Sequence, residues 1–443
     1  MVSNLNNWSA AQAVCRLLQK LVFCCAVGAL PGIVLAGTAS PYGEYFVRLG
    51  ATWPDGGPGP PQSPPAAGPG EGDSKRFENQ LDALEKEGGP YADALAEPLA
   101  DLARMHRRAG DLERAQQAYQ RALHVVRIND GLYSERQVPI LRELFETYRL
   151  TGDMVTLDAR YDYFFRLYGS GQPPYTPVRI GAALEYLRWQ REALRLGLDG
   201  EDSDRLLALY TLNEQLLQAV AADPGAGLAD YRALALSQLR NLYLLSERYE
   251  PKVEAFGPGG VTTAMPTAWD EQDTTRKRLE VFQRNALSRG RGLLEELIAR
   301  TPPGQAEALA ATWLELADWN QWNDRRPEAL AAYREVEQLL LNTDRAELLQ
   351  QWLGQPVELP ANGAFWQPRP LAGGDEPVVV HARYDVSATG KAGNIEVTTQ
   401  DSANAGKAGK VRRSLAQTRF RPRMVNGEPV AGQQLERDYQ VLD

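Results

Sequence analysis

Apolar residues recur every three or four positions along most of this chain, and that spacing predicts a protein built mainly of α-helices. The pattern begins with Phe77, Leu81 and Leu84 and continues to about residue 353. Segments rich in glycine and proline at 169–177 and 256–268 interrupt it. A long series of helices joined by turns is typical of a helical bundle or of a solenoid.

The apolar period changes from 3.6 to 2 near the C-terminus, and this change predicts a small sheet domain. Apolar and polar residues alternate over 378–386, and again over 395–399 after the glycine-bearing turn "SATGKAGN". A short helix follows in "GKVRRSLAQTRF", and a last strand runs through 435–441. The order β-β-α-β makes the predicted fold class mainly α, with a small α+β domain at the end.

The first 36 residues have the layout of a secretory signal. Arg16 and Lys20 precede an apolar run over 21–36, and small residues follow it, so cleavage after Ala36 or Ala39 fits. The alternative is an uncleaved membrane anchor, although the run is short of the ~20 residues that a spanning helix needs. We therefore expect a periplasmic protein, with an inner-membrane anchored protein as the alternative.

Composition divides the rest of the chain. Residues 37–73 are rich in proline, glycine and small polar residues, which predicts a disordered tether. The predicted domains are a signal peptide or anchor at 1–36, this tether, a helical domain at 74–353, a linker at 354–375 and a sheet domain at 376–443. The net charge of −9 at pH 7 excludes nucleic acid as an expected partner. Membrane contact is expected only if the N-terminal segment stays uncleaved.

The stretch "RAGDLERAQQAYQRAL" at 108–123 indicates how the helices are arranged. Ala103 and Ala115 stand where two antiparallel helices would approach closely, and Gly110 between them allows a tight turn. With Tyr119 following, this spacing resembles the tetratricopeptide repeat (TPR), a helix-turn-helix unit of ~34 residues. The resemblance implies an α-solenoid, a superhelix of stacked helix pairs with a curved face for a partner polypeptide.

Two further units match the repeat less closely. One surrounds Gly152 and Tyr161, and the other surrounds Tyr333, with Asp324 in place of the turn glycine. The helices at 178–300 carry no recognisable repeat residues. We interpret them as degenerate units of the same superhelix, and the alternative is an unrelated helical insert.

The TPR resemblance also implies which residues line a groove, because groove-facing positions in this family lie on the first helix of each pair. Arginine forks at such positions would bind the carboxylates of an acidic peptide or of a C-terminus. The alternative is that these arginines merely lie on a solvated helix face. The predicted groove positions are Arg104, Arg107, Arg108, Arg142, Glu146 and Arg149, and the expected partner contacts among them are Arg104, Arg108, Arg142 and Arg149.

Three segments of the sheet domain, "YDVSATGKAGNIEV", "LAQTRFRPRMVNGEPV" and "RDYQV", resemble the C-terminal domain of TonB-type proteins. The resemblance implies an exposed edge on the final strand, near Tyr439 and Val441, that pairs with a short peptide. The alternatives are an edge that is capped or that forms a homodimer. The chain departs from energy-transducing TonB proteins, because residues 21–36 hold no polar group suited to proton-driven coupling.

Residues that commonly carry catalysis are few and scattered. His106, His124 and His381 fall in separate predicted elements without metal-ligand spacing, and no phosphate-binding loop or nucleophile motif is present. All three cysteines fall in the first 36 residues, so a cleaved chain contains none. We therefore expect no enzymatic activity, no catalytic, cofactor-binding or metal-binding residues, and no cofactor.

A cluster of arginines near the C-terminus contrasts with the acidic balance of the chain. We expect it to hold the acidic helical body or an acidic partner, unless it forms a solvated helix face. The cluster consists of Arg412, Arg413, Arg419, Arg421 and Arg423.

Taken together, these patterns predict an exported periplasmic scaffold or adaptor without catalytic activity. It would bind protein or peptide partners through a TPR groove and a TonB-C-like strand edge. The alternative is a TonB-like energy transducer, anchored in the inner membrane and acting on outer-membrane receptors.

Overall fold

The computed structural model describes residues 45–48, 71–198, 204–248, 271–365 and 378–442. These residues belong to one compact unit of the chain, which spans 38–443. The predicted signal peptide at 1–36 and most of the predicted tether lie outside the described residues. No helix within the described ranges is long and apolar enough to cross a membrane.

Helices fill most of the described chain between residues 71 and 353, as the apolar periodicity predicts. In chain order they are α1 Glu71–Gly88, α2 Ala96–Arg108, α3 Leu112–Asp130, α4 Gln137–Thr151, α5 Met154–Leu167, α6 Pro177–Leu196, α7 Asp204–Ala222, α8 Leu228–Arg248, α9 Glu271–Arg300, α10 Ala306–Trp322, α11 Arg326–Asn342 and α12 Ala346–Leu353.

Each of these helices packs against the next one along the chain. Contacts also join alternate helices, namely α2 with α4, α6 with α8 and α7 with α9. This succession is that of stacked helix pairs, so the predicted TPR-like helical repeat is confirmed. The helices of the region 178–300 follow the same succession of contacts, and their interpretation as degenerate repeat units stays a prediction.

Four turns between consecutive helices share one geometry. A residue in the left-handed region ends the helix, and the N–H of the next residue donates to a carbonyl of the last helical turn. Gly110 and Gly152 occupy this left-handed position in two of the turns, with φ of 80° and 72°. A residue with a Cβ would be strained in this conformation. Asp324 and Asp344 occupy the same position in the other two turns, with φ of 57° and 55°. Asp324 therefore does replace the turn glycine, as predicted. The hydrogen bonds are Asp111 to His106 at 2.9 Å, Asp153 to Tyr148 at 3.0 Å, Arg325 to Asn320 at 2.8 Å and Arg345 to Leu340 at 2.8 Å.

Small and aromatic residues fill the crossings within the helix pairs. Ala103 of α2 and Ala115 of α3 are fully buried, as expected where two helix axes approach closely. Tyr119, Tyr161 and Tyr333 each follow their turn residue at the same spacing, and all three are buried. The close approach on which the predicted repeat depends is therefore present.

A small sheet domain follows the helices and also uses a strand that precedes them. The order of its main sheet is β1-β8-β3-β4, with every neighbouring pair antiparallel. One helix packs against β3 and β4 and completes an apolar core with the sheet. The elements are β1 Tyr45–Arg48, β2 Val357–Glu358, β3 Val378–Val386, β4 Ala392–Thr399, α13 Ala405–Gln417, β5 Phe420–Arg421, β6 Arg423–Val425, β7 Glu428–Val430 and β8 Gly432–Leu442.

The predicted order β-β-α-β is present as β3, β4, α13 and β8, but the final strand does not lie at the edge of the sheet. β1 lies outside it and comes from the segment that was expected to be a disordered tether. Four residues carry too little alternation to indicate a strand, and their partner lies near the opposite end of the chain. Local periodicity therefore does not reveal β1.

The predicted linker at 354–375 takes part in the fold over its described residues. β2 pairs with β5, which ties the end of the helical stack to the sheet domain. Arg437 of β8 donates to the Gln355 side chain at 3.1 Å, and the Tyr439 hydroxyl donates to Glu358 at 2.6 Å. The first part of this segment is therefore a structured junction, and residues 366–375 lie outside the described ranges.

We expect Gly290→Ala to destabilise the protein by about 1–3 kcal/mol through overpacking. A Cβ at this position of α9 would overlap the Trp319 ring, which is fully buried in α10. The Trp319 indole N–H also donates to the Leu287 carbonyl at 3.1 Å, and this bond holds the ring in place. Urea unfolding monitored by circular dichroism gives the free energy of unfolding.

Gly292→Ala is the matched control, because a Cβ there would meet nothing within 4 Å. This variant should equal or slightly exceed the wild type in stability, since alanine is the better helix former. Equal stability of the two alanine variants would contradict the packing of α9 on α10.

Candidate protein-binding surfaces

Arginines on the first helices of successive pairs join those helices to each other. In each contact the arginine lies on the earlier first helix, and its acceptor lies on the next first helix along the stack. We call this set the arginine ladder. Its contacts are Arg107 to Glu143 (2.6 Å), Arg142 to Glu185 (2.8 Å), Arg149 to Glu192 (2.9 Å), Arg191 to Asn241 (3.1 Å), Arg195 to Glu247 (3.5 Å) and Arg232 to Thr312 (2.7 Å).

Arg149 is the most buried predicted partner contact in the ladder. Its side chain is 9% exposed and that of Glu192 is 2% exposed. The guanidinium also lies 5.1 Å from the centre of the Trp189 ring. An incoming carboxylate would have to displace Glu192 and leave it buried without its cation, which is costly. This geometry contradicts the predicted role of Arg149 in partner binding.

The other three predicted partner contacts have different surroundings. Arg142 pairs with Glu185 but keeps more than half of its side chain exposed. Arg104 pairs with Asp101 of its own helix. Arg108 is exposed and forms no ion pair within the described part of the chain. The structure therefore does not bring the four arginines together as one anion-binding set.

The predicted docking edge on the final strand is covered on both sides. β8 pairs with β3 on one side, and on the other β1 places Phe46 opposite Val441 and Arg48 opposite Tyr439. The Tyr439 side chain is buried against Glu358, and burial raises the pKa of its hydroxyl. The expectation of an open edge at Tyr439 and Val441 is therefore wrong, and the alternative of a capped edge is what the structure has.

A basic cleft lies on α3, the second helix of the first pair. It is a shallow, open depression of about 460 Å³ formed by residues of α3 and one residue of α5. Arg127 donates to the Tyr163 hydroxyl at 3.2 Å and Arg121 pairs with Glu85, while Arg160 forms no ion pair with any described residue. The cleft thus has more cations than acids beside it, which favours an anionic ligand. Its lining residues are Gln117, Gln120, Arg121, Leu123, His124, Arg127 and Arg160.

Exposed apolar side chains continue this cleft toward the end of α3. The Tyr91 ring stands edge-on to the His124 ring of the cleft, with 5.5 Å between centroids. Asn129 donates to the Tyr91 carbonyl at 2.8 Å, which fixes the preceding loop against α3. The basic cleft and these apolar residues together are called the α3 surface. Its apolar members, with their exposed fractions, are Tyr91 (50%), Ile128 (50%), Leu132 (58%) and Tyr133 (70%).

The sequence prediction missed the α3 surface because it placed the groove on first helices alone. The signal that was available is the spacing of Gln117, Gln120, Arg121 and His124, which puts four polar residues on one face of α3. The contribution of Tyr91 comes from a separate loop, and no local pattern indicates it.

A buried ion pair fixes the sheet domain to the helical stack. Arg421 of β5 donates to both carboxylate oxygens of Asp318 in α10, at 2.8 and 2.5 Å. The Tyr333 hydroxyl donates to the same carboxylate at 2.8 Å, and Arg421 also donates to the Trp352 carbonyl at 2.7 Å. The C-terminal arginine cluster thus does contact the acidic helical body, as one of its two predicted roles required.

Glu315 lies on α10 beside this ion pair and accepts a hydrogen bond from the Asn362 amide at 3.0 Å. Burial raises the pKa of Glu315 to about 6, and the negative charge of Asp318 acts in the same direction. The Asn362 amide and the charges of Arg240 and Arg421 oppose this rise. The junction therefore contains a carboxyl group whose pKa is raised by its surroundings.

The histidines lie apart, as the sequence predicts. His106 is buried at a packing position of α2, where burial lowers its pKa, and His381 contacts Asp438 at 2.6 Å on the outer face of the sheet. The described residues include no group of three or more histidine, cysteine or acidic side chains placed to hold a metal ion.

Comparisons with known proteins give no family assignment. No family model matches the chain, and no curated protein matches it. Among solved structures, the TPR-like repeats of a kinesin light chain candidate from Podosopora anserina are 15% identical, with 56% of this chain and 96% of that chain covered and a TM-score of 0.31.

Two other solved structures show comparably low similarity. A circular tandem repeat protein with novel repeat topology is 15% identical over 64% of this chain and 68% of its own, with a TM-score of 0.28. BtubC (BKLC) from P. vanneervenii is 16% identical over 62% of this chain and 90% of its own, with a TM-score of 0.18. These scores are too low to establish a shared fold.

We expect Arg149→Ala to destabilise the protein by about 3–5 kcal/mol, because Glu192 would stay buried without its cation. Arg142→Ala is the matched control on the same helix, and loss of its exposed pair should cost about 1 kcal/mol or less. Urea unfolding of both variants gives the comparison. A variant Arg149→Ala of wild-type stability would show that this arginine is not a structural part of the ladder.

Glu315→Gln should change how stability depends on pH. The folded-state pKa of Glu315 is raised, so its stabilising contribution is complete below the unfolded value of 4.5 and is lost as pH rises through 6. Relative to the wild type, the Gln variant should therefore gain up to about 2 kcal/mol between pH 3 and pH 8. Urea unfolding at several pH values measures this difference, with Glu295→Gln at an exposed site as the control. A difference that stays constant with pH would contradict the raised pKa.

Proposed function

We propose that this chain is a non-catalytic scaffold that holds a protein partner on the α3 surface of its helical stack. The observation that carries the proposal is a basic cleft on α3 beside four exposed apolar side chains, of which Ile128 lies on α3, Tyr91 lies in a preceding loop, and Leu132 and Tyr133 follow the end of α3. Contiguous apolar exposure beside a polar rim is typical of protein-binding surfaces. Stacked helix pairs are generally used to present such surfaces rather than to carry out chemistry.

The chemistry of the α3 surface defines the partner that fits it. Arg127 and Arg160 favour carboxylates, and the apolar side chains beyond His124 favour an apolar end. The partner segment is therefore acidic over the cleft and apolar over the Tyr91 and Tyr133 side chains. The first-helix face suits such a segment less well, because its arginines are engaged in the ladder.

We further propose that the scaffold is exported to the periplasm and that its sheet domain is TonB-C-like. The composition of residues 1–36 supports export, and the segments that carry the TonB resemblance fall on β3 and β4, on the end of α13 with β5, β6 and β7, and on β8. The alternative, an anchored TonB-like transducer, requires residues 1–36 to remain in the membrane. The scaffold requires their removal.

Site-specific photo-crosslinking in cells tests the α3 surface. A benzophenone amino acid at Ile128 or Tyr133 should give a discrete adduct, whereas the same group at Val155 or Leu341 should not. Val155 and Leu341 are suitable control positions because both are at least half exposed. Adducts of equal yield at all four positions would contradict a specific surface.

Charge reversal distinguishes the α3 surface from the predicted groove. Arg160→Glu should lower the adduct yield at Ile128 about tenfold, as the loss of one charge contact worth ~1.4 kcal/mol implies. Arg108→Glu is the matched control, since Arg108 is an exposed arginine on a first helix. Loss of the adduct in Arg108→Glu with retention in Arg160→Glu would place the partner in the groove instead.

A further inference from the structure

An open cleft of about 500 Å³ lies between α7 and α9, the second helices of two successive pairs. Residues of α8 form its base, where Tyr231 and Leu242 are at most 3% exposed. Leu217 of α7 and Leu293 of α9 add apolar lining. None of the lining residues belongs to the arginine ladder or to the α3 surface. We call it the α7–α9 cleft, and it is a separate candidate site.

Glu214 of α7 lines this cleft and is oriented by neutral groups. The buried Gln238 amide donates to one carboxylate oxygen of Glu214 at 3.1 Å, and the Gln218 amide donates to the other oxygen at 3.1 Å. The Asn241 amide donates to the Gln238 side-chain carbonyl at 2.9 Å, which fixes the direction of that amide. Among the described residues, the ion pair of Glu214 is with Arg289, across 3.9 Å. Glu214 is thus an oriented carboxylate whose nearest counter-charge is distant.

Two tyrosine rings of the cleft already contact guanidinium groups of α9. Arg289 donates to the Tyr210 hydroxyl and lies 5.7 Å from the centre of that ring. Arg300 lies 4.3 Å from the centre of the Tyr231 ring and pairs with Glu296 at 2.8 Å. Guanidinium groups stack on aromatic faces and pair with carboxylates, so both contacts show the chemistry that the cleft accepts. Both arginines are at least 40% exposed, and the loss of such an exposed pair costs about 1 kcal/mol or less.

We propose that the α7–α9 cleft binds an alkylguanidinium, which is a guanidinium group on a short apolar stem. The guanidinium pairs with Glu214 and lies against the Tyr210 ring, in the place that Arg289 now takes. The stem packs on the apolar lining formed by Leu217 and Leu242. This chemistry is shared by the arginine side chain of a partner protein and by a free guanidine compound.

An anionic ligand fits the cleft less well than a cationic one. The charged side chains among its described lining residues are the carboxylates of Glu214 and Glu296 and the guanidinium of Arg289. An anion would have to lie beside two acids, and like charges placed side by side repel each other. The net charge of −9 of the whole chain also attracts cations rather than anions. The balance of charge in the cleft therefore selects a cation.

Binding of n-butylguanidinium to the full chain tests the proposal, with n-butylurea as the uncharged probe of nearly the same shape. Titration followed by NMR of leucine methyl groups both locates the site and measures the affinity. We expect the methyl signals of Leu217, Leu242 and Leu293 to shift at millimolar concentrations of the guanidinium. The urea should bind at least about tenfold more weakly, because it cannot form a charge-assisted hydrogen bond with Glu214.

Three variants identify the groups that bind the probe. Glu214→Gln should weaken the binding of n-butylguanidinium at least about tenfold, because it removes the anchoring charge. Glu295→Gln is the matched control, since this exposed residue of α9 pairs with Arg291 and does not line the cleft. Arg289→Gln should strengthen binding about threefold or more, because it removes the cation that now occupies the site. A gain of affinity in this variant cannot come from partial unfolding.

Equal affinities for n-butylguanidinium and n-butylurea, or unshifted leucine methyl signals, would overturn the proposal. Weaker binding to the Arg289→Gln chain would overturn it as well, because the cleft would then use its arginine. A blocked Ala-Arg-Ala tripeptide distinguishes the two sources of the ligand. Binding at least as tight as that of n-butylguanidinium indicates an arginine of a partner protein, and weaker binding indicates a free guanidine compound. The α3 surface is a separate site, so failure of its crosslinking leaves this test unaffected.

Discussion

The carboxylate of Asp318 joins the two parts of this protein. It accepts two hydrogen bonds from Arg421 and one from Tyr333, so a single buried acid connects β5 with α10 and α11. A buried charge of this kind is stable only when its partners are complete, because water cannot replace them. The orientation of the sheet domain on the last helix pairs depends on this contact.

Arginines also connect successive first helices within the stack. These contacts make the first-helix face less available to a partner. A planar guanidinium can span the gap between two first helices and engage an acid on the next one, as Arg149 does with Glu192. In the arginine ladder, the arginines of the first helices are paired with groups of the protein itself. On α3, by contrast, Arg127 and Arg160 have no acidic partner among the described residues, so electrostatic attraction is directed outward there.

The features that the sequence predicts correctly are those set by local chemistry. The left-handed turn residues Gly110 and Asp324 and the alternation in β3 follow from a few adjacent residues. The features that it misses depend on residues far apart in the chain. A pattern shows that Arg149 lies on a helix face, but it does not show that the next repeat places Glu192 opposite it. Similarly, nothing near β1 indicates that its partner is the last strand.

A stack of helices exposes apolar side chains at its two ends, and an open sheet exposes unpaired backbone groups at its edge strands. The sheet domain covers the C-terminal end of the stack, through contacts of α10, α11 and α12 with β5, β7 and β6. β1 covers the outer edge of β8 in the same sense. At the first helix pair the chain instead leaves Tyr91, Leu132 and Tyr133 exposed. These side chains lie beside the basic cleft of α3, and exposed apolar side chains grouped next to polar ones are typical of a surface that binds another protein, which is the role proposed for them.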